Sequence, residues 1–414
     1  MARVEEEPGF MLKPPFSFEE IMAPLGAERF FAEYEGKQPL HLKGAADKFA
    51  EVMSWAKLND LLGQATIWTD ASLLLWLDKE PVAPARYCAS ALSRDGRRQM
   101  LQPDPQKVKE FLRHGATLTA TWIDHLSAGL TAFSQAMEQA LCGKVQANLY
   151  LSSRRRPGLA SHRDRHDVYA VHVEGTKTWY VYEGRSALPI AHPMFKNSRG
   201  EDEQAKQRLL MEVKMEPGDL LYLPRGQYHD AVADEGGAMH IAFGVTYPNG
   251  LDVLSLLYER AVAEPLFRAD LPRPRGADAA RAMTERLAEL AERFNRLWGD
   301  PARMADIRAL QMAFHHPRDS YNLPDLLNEA ASDRYQVHAT GIRLVEQGGR
   351  FGLVRQGSRA ATEVPAEVSA LVGWVLERPE FSLAELAAAF PERQAAALDQ
   401  LLHDLRAMNL LQPA

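Results

Sequence analysis

Apolar positions along this chain change their period twice. Over the first sixty residues they recur at helical spacing, and SFEEIMAPLGAERFFAEYEGKQPLHL opens with Ser17 three residues ahead of Glu20, the spacing of a capping box. Further helices are predicted from Ser54 to Leu62 and from Pro105 to Arg113. From about Val145 the period drops to two. VQANLYLS alternates, VYAVHVEGTKTWYVYEG reads as two strands joined at Gly175, GDLLYLPRGQYHDAV holds a strand, a turn and a second strand, and AMHIAFGVTY adds another. Short strands separated by Gly and Pro turns predict a jelly-roll or cupin-like double sheet.

After Pro248 the helical period returns. DVLSLLYERAVAEPLF and DAARAMTERLAELAERFNRLW are separated by DLPRPRG, Asp270–Gly276, and the second carries an apolar stripe as far as Leu297. Such a stripe needs a partner surface, either the chain's own barrel or a second copy, and a homodimer interface is the expectation. The last segment opens with two strand-like runs around Gly348–Gly349, a hairpin signal, and continues with three helices, an order that resembles a winged-helix unit. Its final helix sets Glu392, Asp399 and Asp404 against Arg393 and Arg406, so it lacks the basic bias of a DNA-reading helix, and a structural or protein-contacting role is expected. The predicted organisation is 1–250 as an N-terminal helical region with the barrel, 251–332 as a helical dimerisation segment, and 333–414 as the winged helix.

Composition narrows the chemistry. Hydrophobic residues make up 46% of the 414 positions and charged residues 25%, the balance of a soluble globular protein. No apolar run reaches membrane-spanning length, and MARVEEEPGF lacks the basic start and apolar centre of a signal peptide, so a cytoplasmic protein without a membrane partner is expected. Net charge is −7, which argues against a broad nucleic-acid surface. Cys88 and Cys142 are the only cysteines. A metal would therefore be held by His, Asp or Glu, ligands that suit iron, manganese or zinc.

SHRDRHD, residues 161–167, is the densest cluster of such groups. His162 and Asp164 lie two apart, so on an extended segment both reach one ion. His229, just past the Pro-Arg-Gly turn, supplies a third ligand. Two His and one carboxylate form the facial triad of non-haem Fe(II) oxygenases, with positions left open for a co-substrate and dioxygen. His166 and Asp167 are alternative ligands, but the strand run that follows assigns them to the strand start or the substrate mouth. His172 reads as a core or cleft-lining residue, His240 as core packing or support for the site, and His315–His316 as a helix end. Lys177 shares strand parity with Trp179 and Val181; it is either a surface lysine or an inward cation, and an inward cation needs an anion such as the far carboxylate of a metal-chelating dicarboxylate.

Taken together, NLYLSSRRRPGLASHRDRHDVYAVHVEGTKTWYVY and GDLLYLPRGQYHDAV resemble the JmjC-type ribosomal oxygenases, also called the cupin-4 family, over roughly Asn148 to His240. That resemblance implies an α+β chain: a double-stranded β-helix core with N-terminal helices, a helical dimerisation segment and a C-terminal winged helix. It implies Fe(II) on His162, Asp164 and His229, 2-oxoglutarate and dioxygen as co-substrates, and Lys177 on the distal carboxylate. Asn148, Tyr150 and His240 fall where the family lines the co-substrate pocket or stands near the iron. The implied activity is hydroxylation of an amino-acid side chain, Arg or His, of a ribosomal protein or another protein or peptide.

The chain departs from the family pattern at three places. SSRRRPG, Ser152–Gly158, replaces a Thr-Pro-Pro-Gly-Ser approach; its arginines either attract an acidic peptide or RNA phosphates or form a solvated loop. Arg163 replaces an aromatic residue, and His172 replaces a glutamine. These changes leave iron and co-substrate untouched and bear on the substrate. Two other readings stand beside hydroxylation: N-methyl demethylation by the same chemistry, and a non-catalytic cupin module that binds a partner. A zinc cupin isomerase is a weaker one, since it gives Lys177 no purpose.

Overall fold

Ser17 begins the first helix as its spacing with Glu20 predicts: its side chain caps the Glu20 N–H while the Glu20 carboxylate returns to the Ser17 N–H. This helix, α1 (Phe18–Met22), and α2 (Ala27–Glu33) bury Phe18, Ile21, Met22 and Phe30. Two more helices, α3 (Trp55–Gly63) and α4 (Pro105–Arg113), are capped by Ser54 and Asp104, and α5 (Ala128–Leu141) is capped by Ser127. The computed structural model describes residues 16–92, 97, 99–153, 158–196, 199–300, 303–318, 333–338, 342–355, 361–408 and 410–413.

The described strands of the first 247 residues are β1 (Leu40–Leu42), β2 (Leu73–Leu77), β3 (Glu80–Pro81), β4 (Cys88–Leu92), β5 (Gln99–Pro103), β6 (Thr117–Thr121), β7 (Lys144–Ser152), β8 (Asp167–Arg185), β9 (Leu209–Met215), β10 (Leu220–Leu223) and β11 (Gln227–Thr246). Nine of them form one antiparallel sheet ordered β1-β10-β8-β11-β7-β6-β2-β3, with β9 on β8; β4 and β5 pair separately. The sequence reads β8 as two strands joined at Gly175, and the structure makes it one 19-residue strand bent there. Gly175 has φ +68°, and a Cβ on it would stand 2.0 Å from the Gly237 carbonyl oxygen. Opposite the bend, β11 shifts register between Ala233 and Ala238, so GDLLYLPRGQYHDAV and AMHIAFGVTY share one long strand. Both halves of β8 and β11 pair with each other, which folds the sheet over into the double-layered barrel.

Alternation then divides the side chains. Val145, Ala147, Leu149, Tyr169, Val171, Ile241 and Phe243 face the core that the N-terminal helices cover. Val168, Ala170, Trp179, Val181, Val213 and Leu221 turn into the barrel. Because residues 167–173 of β8 are buried on both faces, VYAVHV shows no polar alternation.

The backbone divides into two compact units, 1–247 with 315–318, and 248–314 with 319–414. The short return to the first unit is anchored by Arg318, whose side chain is 2% exposed between Asp124 and Glu138, each at 2.8 Å. It also donates to the Val145 carbonyl at 2.7 Å, and the His316 N–H donates to Glu138 at 3.1 Å. His315–His316 is thus the lead-in to a buried anchor as well as a helix end.

In the second unit lie α7 (Gly250–Val262), α8 (Pro265–Arg268), α9 (Ala279–Gly299) and α10 (Arg303–Met312), preceded in the first unit by α6 (Arg199–Ala205). It continues with strands Arg334–Val337, Ile342–Gln347, Arg350–Arg355 and Ala361–Val364. Gly348 and Gly349, both at positive φ, close the expected hairpin. Helices Ser369–Leu376, Leu383–Ala389 and Ala395–Ala407 follow in the order read from the sequence, around Leu371, Val375, Phe381 and Leu405. No described helix is long and apolar enough to cross a membrane.

Removing one partner from a buried ion network leaves the other charges unpaired in low dielectric. Arg318→Ala is expected to lower the unfolding free energy by about 3–5 kcal/mol, measured by chemical denaturation. Arg29→Ala, which breaks a solvent-exposed pair with Glu33, should change it by less than about 1 kcal/mol.

Candidate metal centre and its cavity

Two backbone segments supply the three candidate ligands. Residues 162–164 lead into β8, and His229 stands near the start of β11 after the Pro224–Gly226 turn. His162 and His229 face each other as an antiparallel pair, each N–H donating to the other's carbonyl at 3.0 and 2.9 Å. The Gly226 N–H donates to the Asp164 carbonyl at 3.0 Å. Gly226 has φ +86°, and a Cβ there would meet the Ser186 carbonyl at 2.2 Å, so the turn requires glycine.

These bonds bring one ligand atom from each of His162, Asp164 and His229 to within 4.8 Å of one another, with His229 Nε2 3.6 Å from Asp164 Oδ2. The second ring nitrogens are already engaged. His162 Nδ1 lies 2.9 Å from the Ala160 carbonyl and His229 Nδ1 3.0 Å from the Gln227 carbonyl. An N–H on Nδ1 fixes each ring and leaves the Nε2 lone pair for a cation, the arrangement in which metal-ligating histidines are held. Burial pushes the His229 imidazole down to about 4, so it is neutral, as a ligand must be.

The cavity beside these three groups encloses about 50 Å³, room for roughly three to five water-sized bodies and more than a bare ion fills. Lys177, first inward residue after the Gly175 bend, is 5% exposed, and its Nζ lies 3.4 Å from Ser152 Oγ. It has no carboxylate partner among the described residues, and burial alone pushes its pKa down to about 8. Tyr150 stacks on His240 at 5.0 Å, and Trp179 meets His240 edge-on at 5.1 Å and lies over His229 at 5.7 Å. His240 Nδ1 and Trp179 Nε1 are buried with no hydrogen-bond partner among the described residues. An unpaired cation and two unpartnered polar nitrogens on one cavity match a small anionic ligand with polar atoms.

The structure therefore brings His162, Asp164, His229, Lys177, Tyr150 and His240 to one cavity. Asn148, two positions from Tyr150 on β7, is not among the residues that line this cavity, and its Oδ1 accepts the Trp122 N–H at 3.1 Å. His166 packs against Gly244, and its Nδ1 contacts the Asp167 carbonyl. Asp167 is 4% exposed and accepts from Tyr222 Oη at 2.6 Å and from the Arg225 N–H at 2.7 Å. His172 is fully buried, with Nε2 on the Gly175 carbonyl at 3.1 Å. Arg163 turns from the triad to Tyr228 Oη at 3.1 Å, and that hydroxyl donates to Asp202 at 3.0 Å. The Arg154–Arg156 run lies outside the described residues.

Sequence reasoning missed Ser152 and Thr117, whose hydroxyls lie 3.1 Å apart beside Lys177. Strand parity carried a signal for Ser152, two positions from Tyr150 and on the same face. Thr117 had none, since it arrives only through its register opposite Ser152.

A family model described as "JmjC domain" matches residues 127–253, which hold all three candidate ligands and Lys177. The chain is 26% identical over 266 residues to the bifunctional lysine-specific demethylase and histidyl-hydroxylase NO66 of Drosophila erecta, covering 61% of this chain and 38% of that protein. It is 32% identical over 232 residues to the protein of the same name from Dictyostelium discoideum, covering 52% and 44%. With ribosomal oxygenase 2 of Bos taurus it shares 27% over 270 residues, covering 63% and 55%. The chain thus spans about half the length, or less, of these curated relatives. Among solved structures it is similar to YcfD, a ribosomal oxygenase from Escherichia coli in complex with cobalt and 2-oxoglutarate, at 16% identity and a TM-score of 0.48, covering 93% of this chain and 97% of that one. The chain therefore carries a JmjC domain over residues 127–253 and is similar across and around it to the ribosomal oxygenases.

Proposed function

We propose that this chain is an Fe(II)- and 2-oxoglutarate-dependent oxygenase that hydroxylates a side chain, Arg or His, of a ribosomal protein or another protein or peptide. The observation that carries the proposal is the pairing of an open His162–Asp164–His229 site with a buried, unpaired Lys177 on the same cavity. The donor set fits iron: two imidazoles with free Nε2 and one carboxylate, leaving room for other ligands. Iron bound there would supply the oxidation of 2-oxoglutarate by dioxygen, releasing succinate and carbon dioxide, with oxidation of one substrate C–H bond. Lys177 would take the distal carboxylate, with the Ser152 hydroxyl beside it. A carboxylate at that point raises the Lys177 pKa again and holds the ammonium charged. Tyr150, Trp179 and His240 wall the cavity and exclude water from the reacting centre.

A second reading is N-methyl demethylation, favoured by the demethylase in the name of the NO66 relatives. Both activities use one site and part only at the carbon oxidised. A peptide gains one oxygen in the first, and loses a methyl group as formaldehyde in the second. The proposal extends to a homodimer in the cytoplasm, with 251–332 as its dimerisation segment and 333–414 as a winged helix. Leu251, Leu254, Tyr258 and Val262 on α7 and Leu287 and Trp298 on α9 support the dimer, since each is at least 44% exposed and α9 buries none of its side chains among the described residues.

Anaerobic Fe(II) titration in the presence of 2-oxoglutarate should give a metal-to-ligand charge-transfer band, and peptides from ribosomal proteins should then drive succinate release. Absence of the band overturns the oxygenase reading. Asp164→Ala should abolish metal binding and turnover, whereas His166→Ala should bind metal much as the native chain does. Lys177→Ala should raise KM for 2-oxoglutarate by roughly 10–100-fold, the worth of one charge-assisted hydrogen bond, with metal affinity unchanged. Sedimentation should show a dimer for the native chain and a monomer for Leu254→Glu combined with Trp298→Glu.

A further inference from the structure

Three candidate ligands on two separate backbone segments demand that those segments keep a fixed spacing. The antiparallel pair His162–His229 secures one side of the crossing. The other side is secured by residues 164–167, which grip two successive N–H groups of the turn before His229. The Asp164 carbonyl takes the Gly226 N–H at 3.0 Å, and the Asp167 carboxylate reaches across to the Arg225 N–H at 2.7 Å. The second Asp167 oxygen accepts from Tyr222 Oη at 2.6 Å. Tyr222 is fully buried, packs edge-on against Phe30 at 4.9 Å, and accepts the Gly36 N–H at 2.7 Å through the same hydroxyl.

We infer that Asp167 is a positioning residue for the metal centre: its carboxylate ties the turn that carries His229 to the segment that carries His162 and Asp164, and so sets the ligand spacing. The inference rests on the metal-site reading above. Its chemistry requires a carboxylate. Two donors converge on Asp167, and an amide offers one acceptor while turning its NH₂ toward the other donor. The Tyr222 hydroxyl already accepts from Gly36, so its own proton has to go to Asp167. The Arg225 N–H has no alternative role but to donate. Asp167 is not one of the three candidate ligands and does not line the cavity; it acts through the Arg225 backbone N–H and the Tyr222 hydroxyl, as groups that orient ligands from behind do.

Titration of the full-length protein with Co(II), followed by visible absorption, separates this from a general contribution to folding. Asp167→Asn is expected to lower Co(II) affinity by roughly 10–100-fold and to alter the intensity of the Co(II) bands, with far-ultraviolet circular dichroism unchanged. Tyr222→Phe, which removes one arm and keeps the Arg225 contact, should lose less, about threefold to tenfold. Leu58→Ala, which hollows the core beneath α3 far along the chain from both segments, should lower the melting temperature and leave Co(II) affinity within twofold of native. Native affinity and spectrum in Asp167→Asn would overturn the proposal, as would an equal loss in Leu58→Ala. Should Asp167→Asn not fold, Tyr222→Phe decides by the same readout, and unchanged binding there overturns it. His162→Ala serves as the separate control: native Co(II) binding in that variant sinks the metal-site reading itself, whereas loss there with native binding in Asp167→Asn sinks only the role of Asp167.

Discussion

Two long strands, β8 and β11, have to bend at the same level for this barrel to exist. The bend is made by close approach of backbone to backbone, with Gly175 against the Gly237 carbonyl at a distance no side chain would tolerate. From that crease the chemistry is laid out in order. One side of it carries Tyr150 and His240 across the sheet, and Lys177, Trp179 and Val181 turn inward along the other. The ligand-bearing ends of both strands lie farther along, held by the Gly226 turn. A side chain at the crease would force β8 and β11 apart where they bend and disturb the placement of the cation beside the candidate metal site. The glycine is therefore a functional constraint expressed entirely through packing.

Two buried cations show how differently one fold treats a desolvated charge. Arg318 is enclosed by two carboxylates and backbone carbonyls, so the cost of removing it from water is met locally, and its work is to hold the chain against the barrel. Lys177 is nearly as buried and has one hydroxyl at 3.4 Å. Nothing about folding asks for a lysine there, since Val or Met would fill the space without a charge to solvate. Its persistence as a cation needs an anion from outside the chain. The contrast between the two is a stronger argument for an anionic co-substrate than either the burial or the sequence position of Lys177 alone.

Much of this was legible in the residues because the informative positions obey short-range rules. Ser17 and Glu20 announced their helix, Gly348–Gly349 their hairpin, and the parity of Lys177 with Trp179 its inward direction. His162 and Asp164, two apart, belonged together by reach alone. What escaped the sequence depends on long-range register. Thr117 comes beside Ser152 only because β6 pairs with β7, and Arg318 finds Asp124 and Glu138 across nearly two hundred positions. Asn148 shares the face of Tyr150, and parity could not tell that its amide would be taken by Trp122. Asp167 was assigned to the strand start or the substrate mouth; it is the first residue of β8, and what no local rule could give is its burial against Tyr222 and Arg225.

Three buried polar groups on the cavity are ones that packing alone would not place there. His240 Nδ1 and Trp179 Nε1, without a hydrogen-bond partner among the described residues, and the Lys177 ammonium, with the Ser152 hydroxyl but no carboxylate, are each costly in a dry interior and line the cavity beside the candidate triad. A core under selection for stability alone would replace them with apolar residues of similar volume, so their place on this cavity marks where stability has been exchanged for binding. The same reasoning explains the heavy buttressing nearby. Around an unsatisfied cavity the surrounding frame must be over-determined if it is not to collapse inward, and here it is fixed by paired backbone bonds between His162 and His229, by the Gly226 turn, and by the carboxylate of Asp167. A ligand that satisfied those groups would add its binding energy to a frame already in place, so little of it would be lost to ordering the protein.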